Sequence, residues 1–410
     1  MKSVKKILFV HYGDSWIRGS ERCLLDLISH LDSTLFEPIV WTNNSMLAQQ
    51  LKNQHVECCL DDFPILFGWQ KPQFDIKSWI KLIVKARQII NSKQIDLVHV
   101  NSAAPCQWMT FAARLCRCPL MTHLHSDYLS RDRTTLALHM SPSIIAASRA
   151  ITENLRRDGY PEDRLTVVHN GIDVERLREQ PPVDVPQQLN LDSNAVVYAT
   201  VGSLIHRKGV DRILIALRHL ILEYPNSHLV VIGTGEKKQE LTALTHSLHL
   251  NKHVHFIGEQ TNVVGWLKGC HAFVSAAREE AFGLVVTEAA LANLPIIAPF
   301  EGGIPEIVQH GDTALLYANH GYAPLLNMMR CIHNHPKECH EIALRAHEHV
   351  TEHFDVKRYV KQIEQLYSRL INEPFPDFPP LIANFKPMKT AIANHRRNGG
   401  SYDAPAQHHI

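Results

Sequence analysis

The chain has 410 residues, enough for two domains, and its 45% hydrophobic and 20% charged residues are typical of an ordinary soluble protein. The formal net charge of +1 gives no overall field that would favour nucleic acid as a partner. No stretch reaches the roughly 18 apolar residues of a membrane span, and the apolar run Ile7–Val10 is shorter than the roughly 7–15 residues of a signal peptide. We therefore expect a cytosolic protein whose first apolar run is a buried strand.

Short apolar segments alternate with helical stretches along the chain, which is the pattern of buried parallel strands. In the first half the predicted strands are Ile7–His11, Pro38–Trp41, Asp96–Asn101, Leu120–His125, Ile144–Ala147 and Thr166–His169. In the second half they are Val196–Gly202, Leu229–Gly233, Val254–Ile257, Ala272–Ser275, Pro295–Ala298 and Ala314–Leu316. The proline-rich stretch Pro181–Pro186 between the two series predicts a stiff linker. Two doubly wound α/β domains are the expected architecture.

These elements predict five segments. A first domain covers residues 1–180, a linker 181–194 and a second domain 195–352. A C-terminal helix follows over 353–371. The remainder, 372–410, is rich in proline and polar residues and is predicted to be an irregular tail, poorly ordered in its last stretch.

One predicted helix of the first domain is both basic and amphipathic. No acidic residue lies between Ile76 and Gln94. Such a helix either packs on its sheet with a solvated basic face or lies on an anionic bilayer. The apolar stripe consists of Ile76, Trp79, Ile80, Ile83, Val84 and Ile90, and the cations opposite it are Lys77, Lys81, Lys85, Arg87 and Lys93.

The loop that opens the second domain carries two adjacent cations. Gly202 ends a predicted strand, and Arg207 and Lys208 follow just before a helix. The start of a helix is the positive end of its dipole, so cations there are unfavourable unless an anion is bound. Arginine offers a planar fork and lysine a point charge, and both suit a diphosphate. The alternative is a pair of solvated cations.

Two glutamates eight residues apart mark the next loop. Glu280 follows a buried strand, and Glu288 falls about one and a half turns into the helix opened by Phe282, Gly283 and Leu284. The N–H groups and dipole of that helix favour an anion between the two carboxylates. An ordinary amphipathic helix with a capping acid is the alternative. A Gly302-Gly303 turn after the next strand would let backbone approach a ligand.

The Glu280/Glu288 pair and the Gly-Gly-Ile-Pro-Glu turn at 302–306 together resemble the donor-site signature of retaining glycosyltransferases of the GT-B fold, in the group-1 (glycogen-synthase-like) family. The resemblance extends from about Ile7 to Leu370. It implies two Rossmann-like domains facing across a cleft, with the donor bound mainly to the second domain and the acceptor to the first. It also implies that the C-terminal helix packs back toward the first domain.

The resemblance assigns roles to residues of both domains. Arg207 and Lys208 would stabilise the leaving diphosphate, Glu280 would hold donor-sugar hydroxyls and Glu288 the ribose. His125, after a first-domain strand, would border the donor sugar and acceptor; a rim or core histidine, or half of a metal site with His123, are the alternatives. The remaining donor-binding positions are Gly19, Gly202, Phe282, Gly283, Leu284, Gly302 and Gly303.

Two positions depart from the family pattern. Ser203 stands where the family often has arginine, which leaves Arg207 and Lys208 as the main cationic candidates. Arg18 replaces the first glycine of a Gly-Gly-x-Glu turn, and its side chain points either into the cleft or into solvent.

The sequence thus predicts a retaining glycosyltransferase that moves a sugar from a nucleotide-diphosphate sugar to a glycan or lipid-linked acceptor, in surface polysaccharide or lipopolysaccharide assembly. No Asp-x-Asp occurs, so we expect metal independence and no cofactor besides the nucleotide-sugar co-substrate. The expected location is the cytoplasm, with peripheral contact to the inner face of the plasma membrane as an option. A GT-B-fold sugar-nucleotide epimerase or hydrolase and a silent nucleotide-sugar-binding subunit stay open as alternatives.

Overall fold

The computed structural model of the protein describes residues 4–68 and 74–397, and it divides them into two compact units. The first unit comprises the described residues up to His169 together with those from Tyr359 on, and the second is Asn170–Arg358. Each contains a parallel sheet with helices between successive strands, so the predicted α/β class is confirmed. Within the described ranges, no helix is both long and apolar enough to cross a bilayer.

The first unit has a seven-stranded sheet. Its strands are β1 (Lys5–His11), β2 (Phe36–Thr42), β3 (Glu57–Leu60), β4 (Leu97–Val100), β5 (Leu120–Leu124), β6 (Ile144–Ala146) and β7 (Leu165–Val167), in the order β3-β2-β1-β4-β5-β6-β7. Its helices up to residue 169 are α1 (Gly19–His30), α2 (Ser45–Asn53), α3 (Ile76–Lys93), α4 (Cys106–Cys116), α5 (Ser130–Thr135) and α6 (Glu153–Arg157), with 3-10 turns at Leu138–Met140, Ala150–Thr152 and Glu162–Arg164.

The second unit has a six-stranded sheet. Its strands are β8 (Val196–Val201), β9 (Ser227–Ile232), β10 (Val254–Gly258), β11 (Ala272–Val274), β12 (Ile296–Pro299) and β13 (Leu315–Tyr317), in the order β10-β9-β8-β11-β12-β13. Its helices are α7 (Val174–Arg178), α8 (Val185–Leu189), α9 (Val210–Leu220), α10 (Lys238–Ser247), α11 (Val263–Lys268), α12 (Leu284–Leu291), α13 (Ile304–Ile307), α14 (Ala323–Asn334) and α15 (Pro336–His353), with a 3-10 turn at His206–Lys208.

Helix α16 (Val356–Asn372) begins in the second unit, and from Tyr359 on it belongs to the first. A 3-10 turn at Leu381–Phe385 and helix α17 (Lys386–Arg397) follow it. Tyr367 of α16 is fully buried beside the first sheet, where its ring meets Phe36 edge-on at 5.5 Å and its hydroxyl lies 2.6 Å from Nδ1 of His99. This aromatic contact explains why α16 is part of the first unit's core.

Strand order explains why the site loops lie where they do. β1 and β8 are central strands, and their apolar side chains are buried because both faces of each sheet are covered. In each sheet the chain reverses its direction of winding beside these strands, which is where open α/β sheets bind ligands at the strand carboxyl ends. The loops after β1, β8 and β11 carry most of the predicted site residues, while His125 follows β5 and Gly302 and Gly303 follow β12.

The linker prediction was wrong in detail. Residues 185–189 form helix α8, with the Asp184 carboxylate capping its first turn by accepting the Gln187 N–H at 3.0 Å. The stretch also packs within the second unit, since the N–H of Val183 donates to Gly265 O at 3.0 Å. An aspartate followed by a proline in the first helical turn is a helix-start signal, which the linker interpretation overlooked.

The prediction of an irregular tail also differs from the structure. The described part of the tail contains the turn Leu381–Phe385 and helix α17, both packed on the first unit. The prolines at 379 and 380 precede the turn, and Pro387 occupies the start of α17, where the missing N–H has no intrahelical partner to lose. Residues 398–410 lie outside the described residues.

Candidate active site

The loop after β8 is shaped by glycines. Gly202 and Gly209 have φ of +146° and +65°, values that side-chain-bearing residues rarely adopt. A Cβ at Gly209 would collide with Ala276 O, so the loop passes directly against the end of β11. Between the two glycines, the 3-10 turn holds Arg207 and Lys208 above the carboxyl end of the sheet.

Lys208 forms an ion pair with Glu280. Its Nζ lies 2.5 Å from Glu280 Oε2, and the two side chains are 17% and 10% exposed. Arg207 Nη1 lies 4.0 Å from the other carboxylate oxygen and donates to Glu279 O at 3.0 Å. Three of the four residues predicted to carry the chemistry therefore meet at one point, although Glu280 lies 72 residues after Lys208 in the chain.

The neighbouring cations determine the charge of Glu280. Burial acts to raise the pKa of its carboxyl group, but the charges of Lys208 and Arg207 and the hydrogen bond from Lys208 outweigh burial and lower this pKa. Glu280 is therefore an anion at neutral pH. Its ion pair with Lys208 holds that cation at the end of the sheet.

The backbone of Gly302 and Gly303 packs against the backbone of the Glu280 loop. Gly302 has φ +55°, and a Cβ there would collide with Glu280 O. The N–H of Gly303 donates to that same oxygen at 2.9 Å, and a Cβ at Gly303 would lie 2.6 Å from Ala281 O. The glycine pair is thus required by backbone packing against the Glu280 loop, a structural reason that the sequence pattern did not indicate.

Helix α12 begins directly after this loop. Gly283 precedes it with φ +115°, and the first N–H groups of the helix point out of its N-terminus. The ring of Phe282 is buried and packs against Phe354 at 5.9 Å, so this residue contributes its backbone and not its ring to the site. Leu284 and Glu288 are half-buried on α12.

A small depression lies among these elements. Its lining includes Gly202, Ser203 and Lys208 from the loop after β8, Ser275 from the end of β11 and Val285 from the first turn of α12. Lys208 therefore faces the depression while it pairs with Glu280. A cation, a helix N-terminus and glycine backbone around one depression form a site suited to phosphate.

A network that the sequence prediction missed braces the cationic turn. The guanidinium of Arg278 makes two hydrogen bonds to Asp211, at 2.9 and 2.6 Å, and a third to His206 O at 2.7 Å. Its backbone N–H donates to Arg207 O at 2.7 Å. Asn319 in turn donates to the carbonyl oxygen of Arg278 at 3.3 Å. In the sequence, this network is indicated only by Asp211, which lies two residues after Gly209.

In the first unit, the loop after β1 is built around a buried carboxylate. Glu21 lies 3.0 Å from Nε2 of His11 and accepts the N–H of Arg18 at 3.0 Å. A Cβ at Gly13 would lie 2.6 Å from the Glu21 carboxylate, so this glycine makes room for the pair. Gly19 is exposed at the first position of α1, and the Arg18 guanidinium stacks on Trp16 at 3.7 Å from the ring centroid.

His125 lies just after β5 in the same unit. Its Nε2 is 3.1 Å from Asn101 Oδ1, while its Nδ1 is buried without a hydrogen-bond partner in the described part of the chain. His123 is wholly buried, with its ring 4.2 Å from that of His125. Within residues 4–68 and 74–397, no group of three or more His, Cys, Asp or Glu side chains could hold a metal ion.

Comparison with known families decides the identity. The model of glycosyl transferases group 1 matches residues 184–349, and that of glycosyltransferase family 4 matches residues 17–176. The group-1 match lies within the second unit, and the family-4 match lies in the first unit except for its last residues, 170–176. The chain belongs to the group-1 glycosyltransferases.

Relatives and solved structures agree with this family. An N-acetyl-alpha-D-glucosaminyl L-malate synthase from Bacillus anthracis is 23% identical over 74% of this chain and 82% of its own length. A lipopolysaccharide core biosynthesis mannosyltransferase, LpsB, from Rhizobium meliloti is 31% identical over 40% of this chain and 49% of its own. The crystal structure of Anabaena Alr3699/HepE in complex with UDP and glucose has a TM-score of 0.77 at 23% identity, covering 89% of this chain and all of that one. The GT-B fold predicted for this glycosyltransferase is therefore confirmed.

The structure of this glycosyltransferase places the predicted site residues in two groups. The second unit holds the first group, in which the Glu280 carboxylate lies 2.5 Å from Lys208 Nζ and 4.0 Å from Arg207 Nη1. The first unit holds Gly19 and His125. The other predicted site residues in the second unit are Gly202, Phe282, Gly283, Leu284, Glu288, Gly302 and Gly303.

Proposed function

We propose that the protein is a retaining, metal-independent glycosyltransferase that moves a sugar from a nucleotide-diphosphate sugar to a glycan or lipid-linked acceptor. The observation that carries this proposal is the position of Lys208 and Arg207, 2.5 and 4.0 Å from the Glu280 carboxylate beside the start of α12. Cleavage of the glycosyl–phosphate bond places negative charge on the leaving diphosphate. Preorganised cations and helix N–H groups stabilise that charge without rearrangement.

Each residue has a role in this proposal. Lys208 and Arg207 bind the diphosphate, with α12 contributing backbone N–H groups from Gly283 onward. Glu280 accepts hydrogen bonds from donor-sugar hydroxyls, and Glu288 from the ribose. The backbone at Gly202 can approach the phosphates because no Cβ intervenes. For Gly19 and His125 of the first unit, the family resemblance implies roles in donor binding and beside the acceptor.

The configuration of the anomeric carbon is retained because the acceptor attacks the face of the sugar from which the phosphate departs. The acceptor hydroxyl oxygen bonds to the anomeric carbon as the bond from that carbon to phosphate oxygen breaks, and the hydroxyl proton passes to the leaving phosphate. No protein base is required for this step, and metal independence follows from the absence of an Asp-x-Asp motif in the sequence. We expect full turnover in excess EDTA; loss of turnover that Mn²⁺ restores would contradict metal independence.

The acceptor is proposed to be a glycan or lipid-linked intermediate of surface polysaccharide or lipopolysaccharide assembly. The name of the Rhizobium meliloti relative, a lipopolysaccharide core mannosyltransferase, supports this class. Such acceptors are built at a membrane, so we propose a cytoplasmic enzyme at the inner face of the plasma membrane.

Helix α3 supports contact with that membrane. The helix packs inward through Leu82 and Ile90, and this leaves the apolar side chains of Ile76, Ile80 and Val84 exposed along one line at a spacing of four residues. The exposed lysines of α3 would face anionic headgroups. If the protein does not sediment with anionic vesicles at any salt concentration, this part of the proposal is wrong.

A thermal-shift panel of UDP, GDP, ADP and CMP sugars tests the donor site. Stabilisation by one nucleotide class is expected in wild type and in the control Lys252→Ala, whose side chain is exposed on the second unit. The shift should be lost in Lys208→Ala, because ligand-induced stabilisation depends on affinity. A shift of equal size in Lys208→Ala would contradict the proposed diphosphate site.

A further inference from the structure

Helix α17 and the 3-10 turn before it have an inverted distribution of side chains. The small residues Ala383 and Pro387 are buried. The large apolar residues Phe385, Met388 and Ile392 face outward, 49%, 47% and 52% exposed. A helix that packs only for stability places its large apolar side chains inward, so this outward face requires another explanation.

The orientation of the segment is fixed by specific contacts. Asn384 Nδ2 donates to Thr134 O of α5 at 2.7 Å, and Lys386 Nζ donates to Gly159 O at 2.8 Å. Helix α17 packs on α5, and the turn Leu381–Phe385 packs on the turn Leu138–Met140. The outward direction of the large side chains is therefore a property of the fold.

The turn adds to the same surface. Leu381 and Ile382 are 56% and 67% exposed, next to Phe385. We define the C-terminal apolar face as Leu381, Ile382, Phe385, Met388 and Ile392. Isolated exposed apolar residues need no explanation, but five in one short segment mark an interaction surface.

The charge of this segment indicates which partner covers the face. Between Asp377 and Asp403 the sequence contains four cations, Lys386, Lys389, Arg396 and Arg397, and no acid. A second copy of the chain on this face would bring like charges together, which is unfavourable. A bilayer with anionic headgroups offers an apolar layer and negative charge at once.

The C-terminal apolar face is also connected to the region of α3. Arg131 of α5 donates to Phe67 O at 3.3 Å, and the Phe67 ring packs against exposed Phe74 at 5.3 Å, just before α3 begins. Helix α5 is thus contacted by α17 and, through Arg131, by the segment that ends in Phe67. Both segments belong to the first unit.

We propose that the C-terminal apolar face, formed by the turn Leu381–Phe385 and α17, inserts into the headgroup region of an anionic bilayer and is a second membrane-binding element of the first unit. This proposal deepens the membrane contact proposed for α3, and it stands on a different set of residues. It is independent of the donor chemistry, because none of its residues belongs to the proposed donor site.

Vesicle sedimentation of the full chain tests the proposal. The vesicles are phosphatidylglycerol:phosphatidylcholine at 1:1 and pure phosphatidylcholine, each at low and high salt. The variant carries Phe385→Ser, Met388→Ser and Ile392→Ser, and its matched control carries Leu222→Ser and Leu344→Ser, two exposed apolar residues of the second unit. A parallel variant with Ile76→Ser, Ile80→Ser and Val84→Ser measures the contribution of α3.

The expected result is salt-sensitive binding of wild type and control to the anionic vesicles, and a loss of about tenfold or more in the partition coefficient of the α17 variant. Equal binding of the α17 variant and wild type would overturn the proposal. So would a concentration-dependent dimer that dissociates in the variant without any vesicle binding, because the face would then be a self-association surface. The nucleotide-sugar thermal shift of the same variants reports the donor site separately, so failure of the membrane element and failure of the proposed activity give different results.

Discussion

Replacing Lys208 by alanine leaves the buried carboxylate of Glu280 without its 2.5 Å partner. Breaking a buried ion pair on one side typically costs about 3–5 kcal/mol. Arg207 remains 4.0 Å from the carboxylate, so we expect the lower end, about 3 kcal/mol. For a domain the size of Asn170–Arg358, each kcal/mol shifts the melting temperature by about 2–4 °C, which predicts a decrease of about 6–12 °C.

A double variant separates this structural cost from donor binding. Lys208→Met with Glu280→Gln removes both charges while keeping the side-chain volumes, so most of the lost stability should return. The thermal shift caused by the nucleotide sugar should stay lost, because the cation proposed to bind phosphate is absent. Scanning calorimetry with and without the stabilising nucleotide sugar measures both quantities. Wild-type stability in Lys208→Ala, or a retained shift in the double variant, would refute the reasoning.

The pH dependence gives an independent check. The pKa of Glu280 is lowered in the folded state from its ordinary 4.5. Its ion pair therefore contributes stability above about pH 4.5, and this contribution is lost as the pH falls through the folded pKa. The difference in the free energy of unfolding between wild type and Lys208→Ala should therefore become smaller at acidic pH. A constant difference from pH 7 to below pH 4 would show that the pair does not stabilise the loop.

Further predictions concern packing around the site and the first-unit core. An alanine in the left-handed region lowers the free energy of unfolding by about 1–2 kcal/mol. Gly302→Ala should lower it by well over this amount, because the new Cβ collides with Glu280 O. Gly311→Ala, at φ +77° with open space around its Cβ, should lower it by this amount alone, as measured by urea unfolding. Arg278→Lys keeps a charge but loses the paired hydrogen bonds that brace the cationic turn, so the KM for the nucleotide sugar should rise more than kcat falls. Burial lowers the pKa of His123 well below 6.5, so the free energy of unfolding falls as the pH drops below 6.5. His123→Leu should raise the free energy of unfolding by about 1 kcal/mol and make its decrease in acid less steep. An unchanged acid profile would contradict the last prediction.

The sequence was sufficient to locate most of both sheets. Each strand predicted from an apolar run lies within or overlaps a strand of the structure, because central parallel strands are buried on both faces and carry continuous apolar residues. The missed strand is β3, whose residues Glu57–Leu60 lie at the sheet edge with exposed ends. Helix α17 was missed because the proline and polar content of residues 372–410 favoured an irregular tail, although Pro387 lies in the first turn of the helix, where proline is tolerated.

The site was predictable as a set of loops but not as a set of contacts. Strand ends and glycines indicated where Lys208 and Glu280 would lie, since both follow buried strands of one sheet. That these two residues pair directly depends on the neighbouring positions of β8 and β11, which the sequence order does not reveal. The requirement for Gly302 likewise arises from a backbone contact with a distant loop.

The Lys208–Glu280 pair gives Glu280 two tasks in the proposed function. An ammonium group carries three N–H donors, and Glu280 occupies one of them in the structure. In the proposed function, Lys208 binds phosphate oxygen with its remaining donors while Glu280 still fixes its position. The second oxygen of Glu280, 4.0 Å from Arg207 Nη1, also accepts a sugar hydroxyl. Because one carboxylate then orients the cation and contacts the sugar, a change at Glu280 should weaken the binding of the diphosphate as well as that of the sugar. We expect Glu280→Gln to reduce affinity for the free nucleoside diphosphate in calorimetric titration, which a residue touching the sugar alone would leave unchanged.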